Sequence, residues 1–346
     1  MAVTGELDTG RLRPYLEAHV DGFTGPLEIE KFAGGQSNPT FRVSSASGTY
    51  VLRRQPPGDL LKSAHAVDRE FRVMAALRNT DVPVPRVLHL CEDRDVIGSM
   101  FYIMEFCDGR IFWDAAIPEV DREQRTAIYD EMIRVLAALH SIDVDATGLA
   151  DYGKPGNYFE RQYGRWSSQY RASELQRIEP MEQLITWLGG NIPADDGRVT
   201  LVHGDFRLDN MIFSGNEPRA IALIDWELST LGHPFADLGY YCMQLRMPQN
   251  VGNMSGLRGL DLDVLGIPDE RSSVARYCEK TGVERIENFS FYVAFSFFRL
   301  AAIVQGVAKR AVDGNASSEQ AMQLGKFVQP MAELALEAID RGEAGS

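Results

Sequence analysis

The segment Leu201-Val202-His203-Gly204-Asp205-Phe206-Arg207-Leu208-Asp209-Asn210 constrains this chain more than any other ten residues in it. Thr200-Leu201-Val202 reads as a short apolar strand, and the loop that follows carries an acid at 205 and an amide five positions later. A second apolar strand, Ala220-Ile221-Ala222-Leu223-Ile224, delivers Asp225-Trp226-Glu227, with Asp225 standing 20 residues after Asp205. An aspartate turned toward a hydroxyl can take its proton, while an asparagine carbonyl can hold a magnesium ion against a transferring phosphate. Asp225 adds the kind of oxygen ligand a hard cation prefers.

The rest of the chain falls into two textures. Up to about residue 106 the punctuation is strand-like, with β-prone runs at 27–32, 40–43 and 49–53 separated by Gly-Gly, Ser-rich and Pro-Pro turns. Residues 66–77 place Val67, Phe71, Met74 and Leu77 near helical spacing, which predicts one helix packed on that sheet. Pro83 and Pro85 break the pattern, 100–106 reads as a buried strand, and Cys107-Asp108-Gly109 ends it with turn chemistry. Beyond Gly109 the periods lengthen. Over 121–140, Ile128, Met132, Val135, Leu136 and Leu139 share one helical face. The expected architecture is α+β, with two lobes: 1–106, a small antiparallel sheet carrying one helix, and 107–346, large and mainly helical.

Composition narrows the partners. The formal charge of −14 argues against a nucleic acid or an anionic membrane held by bulk electrostatics. Cys91, Cys107, Cys242 and Cys278 show no CxxC spacing, so neither a zinc site nor a disulfide framework is indicated, and a reducing cytoplasm fits. The first residues carry acids where an export signal would need basic residues before an apolar run. The most apolar stretch, 289–304, is broken by Ser290, Ser296 and Arg299, is shorter than the roughly 20 residues a membrane span needs, and reads as a buried helix.

His-Gly-Asp-x4-Asn followed by Ile-Asp-Trp-Glu resembles the aminoglycoside-phosphotransferase and choline-kinase-like branch of the protein-kinase-like fold. The resemblance implies an ATP- and magnesium-dependent phosphotransferase in which Asp205 is the catalytic base and Asn210 and Asp225 are magnesium ligands. It makes His203 a brace for the loop, Asp237 the anchor of that loop, and Glu227 either a contact to a second metal or a salt-bridge partner. Gly34, Gly35, Ser37 and Asn38 match the phosphate-covering turn, where small residues let the backbone approach phosphates. Arg53 stands where protein kinases place a phosphate-binding lysine, and Glu70 is its expected partner, a surface helix glutamate being the alternative. Arg54, on the opposite strand face, is expected to be solvated. Met104, Glu105 and Phe106 match the strand-to-hinge segment whose backbone binds adenine, although a lone methionine is more often core.

The acceptor is a small molecule of less certain chemistry. Residues 151–180 hold five basic and four acidic side chains and 243–280 five of each, so neither segment forms the acidic wall an aminoglycoside polycation would favour. Arg161, Arg165, Arg246 and Arg299 could meet an anionic acceptor, or be structural. Trp113, Tyr158, Tyr163, Trp166 and Tyr170 could cage a choline-type cation, but their helical spacing favours packing. The run Tyr50 to Gly58, with Leu60 to His65, resembles stand-alone bacterial relatives of the kinase-like domain fused to large acyl-CoA dehydrogenases, which implies a hydroxyl on an acyl thioester. Aminoglycoside, choline or sugar kinases are the alternatives, as is a nucleotide-binding module without turnover. A monomer or dimer is expected.

Overall fold

The β-prone runs of the first hundred residues pair into one antiparallel sheet of order β1-β2-β3-β5-β4: β1 Glu28–Lys31, β2 Thr40–Ser45, β3 Gly48–Arg54, β4 Val87–Cys91 and β5 Phe101–Glu105. The computed structural model describes residues 7–32, 38–56, 66–249, 256–313 and 323–342. It divides into two units, Met1–Arg110 with Met211–Ser229, and Ile111–Asn210 with Thr230–Ser346.

In the first unit both sheet faces are covered, not one. The expected helix is α2, Val67–Leu77, while α1, Thr9–His19, is additional, as is the single turn α3, Arg94–Ile97. Asp8 caps α1 by accepting from the Gly10 and Arg11 amides, and Leu12 and Leu16 are its buried residues. Gly10 and Pro14 inside α1 hide its helical period from a sequence reading. Phe41 on β2 faces Leu52 on β3, which faces Ile103 on β5, and this row joins one core with Leu12 and Leu16. Arg54 alternates onto the side of Leu52, so it is buried at 7% exposure and its Nε donates to the Gln55 carbonyl. The expectation of a solvated Arg54 therefore fails because α1 covers that side. On α2 the buried residues are Val67, Glu70, Val73, Met74 and Leu77, while Phe71 is half-buried.

The hairpin of β7, Met211–Phe213, and β8, Ala220–Leu223, also belongs to this unit. The Arg110 amide donates to the Phe213 carbonyl at 2.8 Å. A Cβ on Gly109 would sit 2.3 Å from that same carbonyl oxygen, so the turn that ends the hinge strand needs glycine there.

The second unit is helical: α4 Arg122–His140, α5 Tyr158–Ser173, α6 Glu179–Gly190, α7 Phe235–Arg246, α8 Leu262–Leu265, α9 Glu270–Thr281, α10 Phe289–Val312 and α11 Val328–Asp340. β6, Thr200–Val202, pairs antiparallel with β9, Thr230–Gly232. The two apolar strands foreseen around the catalytic loop thus pair with other strands and not with each other. α10 packs against α5, α6, α7 and α11. At 24 residues it outruns the apolar stretch that announced it and is long and apolar enough to cross a membrane, yet 89% of its most apolar window is buried inside the unit. That is the pattern of a core helix. All four cysteines are free thiols.

Candidate active site

In the first unit, the strand period places Arg53 on the sheet face toward α2, in a row with Thr40 and Tyr102. Its Nε lies 2.8 Å from Glu70 Oε2, its Nη2 2.6 Å from Asp225 Oδ1, and the same Nη2 3.8 Å from Glu227 Oε2. Burial opposes the Arg53 charge, but Glu70, Tyr102, Asp225 and Glu227 outweigh it and push the guanidinium up. Asn38 Nδ2 donates to Glu70 Oε1 at 2.8 Å and the Tyr102 hydroxyl to Oε2 at 3.1 Å. Burial pushes the Glu70 carboxyl above its ordinary range, a rise that Arg53 and these two hydrogen bonds restrain. Asp225 sits in the left-handed region, φ 66°, ψ 58°, directly before the 3-10 turn Trp226–Leu228 that packs on α2. Gly34, Gly35 and Ser37 lie outside the described residues. Met104 is buried at 9%, Glu105 accepts from the Arg86 amide, and Phe106 is half-buried under the Arg42 guanidinium, 5.1 Å from its ring centre.

In the second unit, β6 leads into the loop at His203. Asp237 is buried and accepts from the His203 amide at 2.7 Å and the Gly204 amide at 2.8 Å. One turn along α7, the Tyr240 hydroxyl donates to Asp205 Oδ1 at 2.7 Å, and one turn further Gln244 Nε2 donates to the Phe206 carbonyl at 3.3 Å. Positions 237, 240 and 244 share a helix face, so α7 meets the loop residue by residue. From α10, Arg299 Nη1 donates to the Gly204 carbonyl at 2.7 Å. Asn210 Nδ2 donates to the Asp205 carbonyl and to its Oδ2, at 2.8 and 2.9 Å, closing the loop on itself. His203, wholly buried, accepts from the Asp205 amide at Nδ1. Burial would raise the Asp205 carboxyl, but Arg207, the Tyr240 hydroxyl, His203 and Asn210 together hold it below its ordinary value. Asp205 is therefore an ionised, oriented hydrogen-bond acceptor near neutral pH. Burial and the Asp205 charge push the Tyr240 phenol well up, so it remains a donor.

A family model described as the phosphotransferase enzyme family matches residues 28–257, about two thirds of the chain. The chain belongs to this family. Among solved structures, a candidate aminoglycoside phosphotransferase from Ralstonia eutropha superposes with a TM-score of 0.88 at 49% identity, covering 98% of this chain and all of that one. Spectinomycin phosphotransferase, solved with ADP and spectinomycin, shares the fold at a TM-score of 0.64 and 12% identity, covering 97% of this chain and 99% of its own. Mouse acyl-CoA dehydrogenase family member 10 is 50% identical over 312 residues, 90% of this chain and 29% of that protein. Human acyl-CoA dehydrogenase family member 11 is 41% identical over 341 residues, 97% of this chain and 44% of that protein. The chain thus spans less than half the length of these curated relatives. The fold is protein-kinase-like, with an antiparallel sheet unit and a helical unit, and the family is one of phosphotransferase enzymes.

Which residues of this phosphotransferase could hold magnesium follows from donor chemistry. In the first unit Arg53 lies against the carboxylates of Glu70, Asp225 and Glu227, oxygen donors of the kind a hard cation takes. In the second unit Asn210 turns its Nδ2 onto Asp205, and no described residue donates to its Oδ1. Both donor sets are oxygen-rich, as magnesium requires. Among the described residues, no group of three or more His, Cys, Asp or Glu side chains is placed to hold a metal ion. Magnesium ordinarily completes its shell with waters and substrate phosphates.

Sequence reasoning missed Asn38 as the partner of Glu70, and it missed Tyr240, Gln244 and His140, whose Nε2 lies 3.4 Å from Asp237 Oδ2. Arg299, proposed above as an acceptor contact, spends its guanidinium on the loop backbone. Arg246 pairs with Glu270 at 2.5 and 2.6 Å, and Arg161 donates to the Lys154 and Pro155 carbonyls. The one signal that could have found Tyr240 and Gln244 is their spacing from Asp237 along a helix. Gly204 adopts φ +85°, the left-handed region in which a side chain is strained. Gly204→Ala is therefore expected to destabilise the enzyme by about 1–2 kcal/mol, read from chemical denaturation. An unchanged midpoint would show that the loop relaxes to another conformation.

Proposed function

We propose that this chain transfers the γ-phosphoryl group of ATP to a hydroxyl of a hydroxyacyl-CoA or a similar metabolite. One observation carries the transfer half: an ionised Asp205, held by Tyr240 and Asn210, on a loop fixed at four consecutive residues. A base so placed takes a proton from an acceptor hydroxyl as phosphorus arrives. Residues 1–106 form the nucleotide-binding lobe in this reading and 107–346 the catalytic and acceptor lobe. Asn210 and Asp225 hold magnesium, which when bound neutralises charge on the phosphates. Arg53, supported by Glu70, binds phosphate. Gly34, Gly35, Ser37 and Asn38 cover it, and Met104, Glu105 and Phe106 border the adenine. His203 and Asp237 brace the loop, and Glu227 contributes its charge beside Arg53.

The acyl thioester acceptor is supported by the 50% and 41% identities to parts of two acyl-CoA dehydrogenase family members. It is also supported by the lack of an acidic excess in residues 151–180 and 243–280. The test is magnesium-dependent ADP release measured against a panel of 3-hydroxyacyl-CoA esters, aminoglycosides, choline and sugars. Turnover with the esters, abolished by EDTA, is the expected result. Phosphorylation of an aminoglycoside or sugar, with none of the esters, would remove the acceptor assignment. No ATP consumption with any acceptor would favour a nucleotide-binding module.

A further inference from the structure

We propose that Arg299 is a positioning residue for the transfer: its guanidinium, lying over the Tyr240 ring, holds the Tyr240 hydroxyl on Asp205, an inference that rests on the phosphotransferase reading above. Arg299 stands in the middle of α10 and is 7% exposed. Its Cζ lies 5.9 Å from the centre of the Tyr240 ring on α7 and 5.7 Å from that of the Trp166 ring on α5, and its Nη1 donates to the Gly204 carbonyl at 2.7 Å. Three helices of the second unit and the catalytic loop thus meet at one side chain.

What Arg299 lacks is a counter-ion. A guanidinium taken this far from water is ordinarily held by a carboxylate, as Glu70 holds Arg53 in the first unit. Among the described residues no carboxylate pairs with Arg299, and a carbonyl and two ring faces stand in its place. A tether from α10 to the loop needs only the bond to Gly204, for which a neutral donor would serve at a smaller cost of burial. The charge therefore calls for another use, and the rings beside it supply one.

An aromatic face attracts a cation through its quadrupole, most strongly where water is excluded. The attraction is mutual, so the guanidinium fixes the tilt of the Tyr240 ring as the ring fixes the guanidinium. Among the described residues the Tyr240 hydroxyl makes one hydrogen bond, to Asp205 Oδ1 at 2.7 Å, and the tilt of the ring decides where that proton points. The same positive charge draws on the phenol and sharpens it as a donor, opposing the rise that burial and Asp205 impose. Trp166, whose Nε1 donates to Gln162 Oε1 at 3.0 Å, gives Arg299 a second ring face to rest on. In this role Arg299 exchanges no proton and acts on Asp205 through Tyr240.

The test is a double-mutant cycle on kcat between Arg299→Gln and Tyr240→Phe, read as acceptor-dependent ADP release, with the KM for ATP and the melting temperature measured on each variant. Glutamine keeps a donor for the Gly204 carbonyl and removes the cation. Arg299→Gln should lower kcat about 10-fold with the KM for ATP within about twofold of wild type. In the Tyr240→Phe background the same substitution should cost less than about threefold, because the hydroxyl it acts through is gone. Arg299→Lys, which keeps a cation near the rings, should recover part of the loss. Trp166→Leu removes one ring without touching a hydrogen bond of the loop, and it carries the same cycle if Arg299→Gln does not fold. Its smaller loss, about 3- to 5-fold, should likewise vanish in Tyr240→Phe. Three results overturn the proposal: Arg299→Gln within about twofold of wild type, losses that multiply in the double variant, or lost turnover that follows melting temperature in every variant. A wild type with no ADP release from any acceptor would overturn the phosphotransferase reading and this inference together.

Discussion

Asp205→Asn should lower kcat by about 10²- to 10⁴-fold while leaving the fold almost untouched. The substitution is isosteric, and Tyr240 can still donate to the oxygen that replaces Oδ1. Arg207 keeps its 2.8 Å pair with Asp209, and the Asn210 Nδ2 bond to the Asp205 backbone carbonyl does not involve the side chain. What is lost is the carboxylate proposed to take the hydroxyl proton, together with one hydrogen bond from Asn210 Nδ2. A net cost of about 1 kcal/mol to stability follows from that single bond. The check is acceptor-dependent ADP release beside a denaturation curve. Turnover within threefold of wild type would show that Asp205 is not the base, whatever the fold.

The separation of these two effects explains which parts of the site the sequence made legible. Asp205 and Asn210 stand out by their five-residue spacing in the loop behind an apolar strand, and Asp225 because it directly ends a second one. Arg53 and Glu70 were paired by the kinase resemblance, and in the structure the strand and the helix each give one of them a fixed side-chain direction. Both directions converge at 2.8 Å. Asn38 was placed in a phosphate-covering turn by resemblance, yet its amide is wholly buried against Glu70, a long-range contact that no local period encodes.

The misreadings share one physical origin. Arg54 looked solvated because only one covering helix was foreseen, and α1 escaped notice because Gly10 and Pro14 dilute its period. β4 escaped because it follows two prolines and its first four residues are only half-buried. Arg299 was left open between an acceptor contact and the commoner structural arginine, because a charge interrupting an apolar run reads as a ligand contact or a buried donor. The fold chooses the second by bringing the Gly204 carbonyl within 2.7 Å. Local pattern fixes what a residue can do, while its partner is fixed by segments up to 172 residues away.

Asp237→Ala should destabilise this enzyme by about 2–6 kcal/mol and abolish turnover with it. Asp237 is 1% exposed, and its carboxylate is the acceptor for the His203 and Gly204 amides; truncation leaves both donors buried without it. An unsatisfied buried donor costs about 1–3 kcal/mol, and two give the range stated. His140 Nε2, 3.4 Å from Asp237 Oδ2, loses that partner too, while the Tyr277 hydroxyl, 2.7 Å from Nδ1, holds the ring in place. The pH dependence carries a second signature. Burial would raise the Asp237 carboxyl, but His140, His203 and the Gly204 amide hold it below its ordinary value. Its contribution to stability is therefore fully present above about pH 4, the ordinary aspartate range, and is lost as pH falls through the folded-state value. The stability gap between wild type and Asp237→Ala should be flat near neutrality and shrink in acid. Urea titrations at pH 7 and pH 3.5 measure it, and a gap below 1 kcal/mol at pH 7 would mean that the loop amides find other acceptors. Because the same two amides set the direction in which Asp205 leaves the backbone, the loss of stability and the loss of turnover should appear together in Asp237→Ala, where Asp205→Asn separates them.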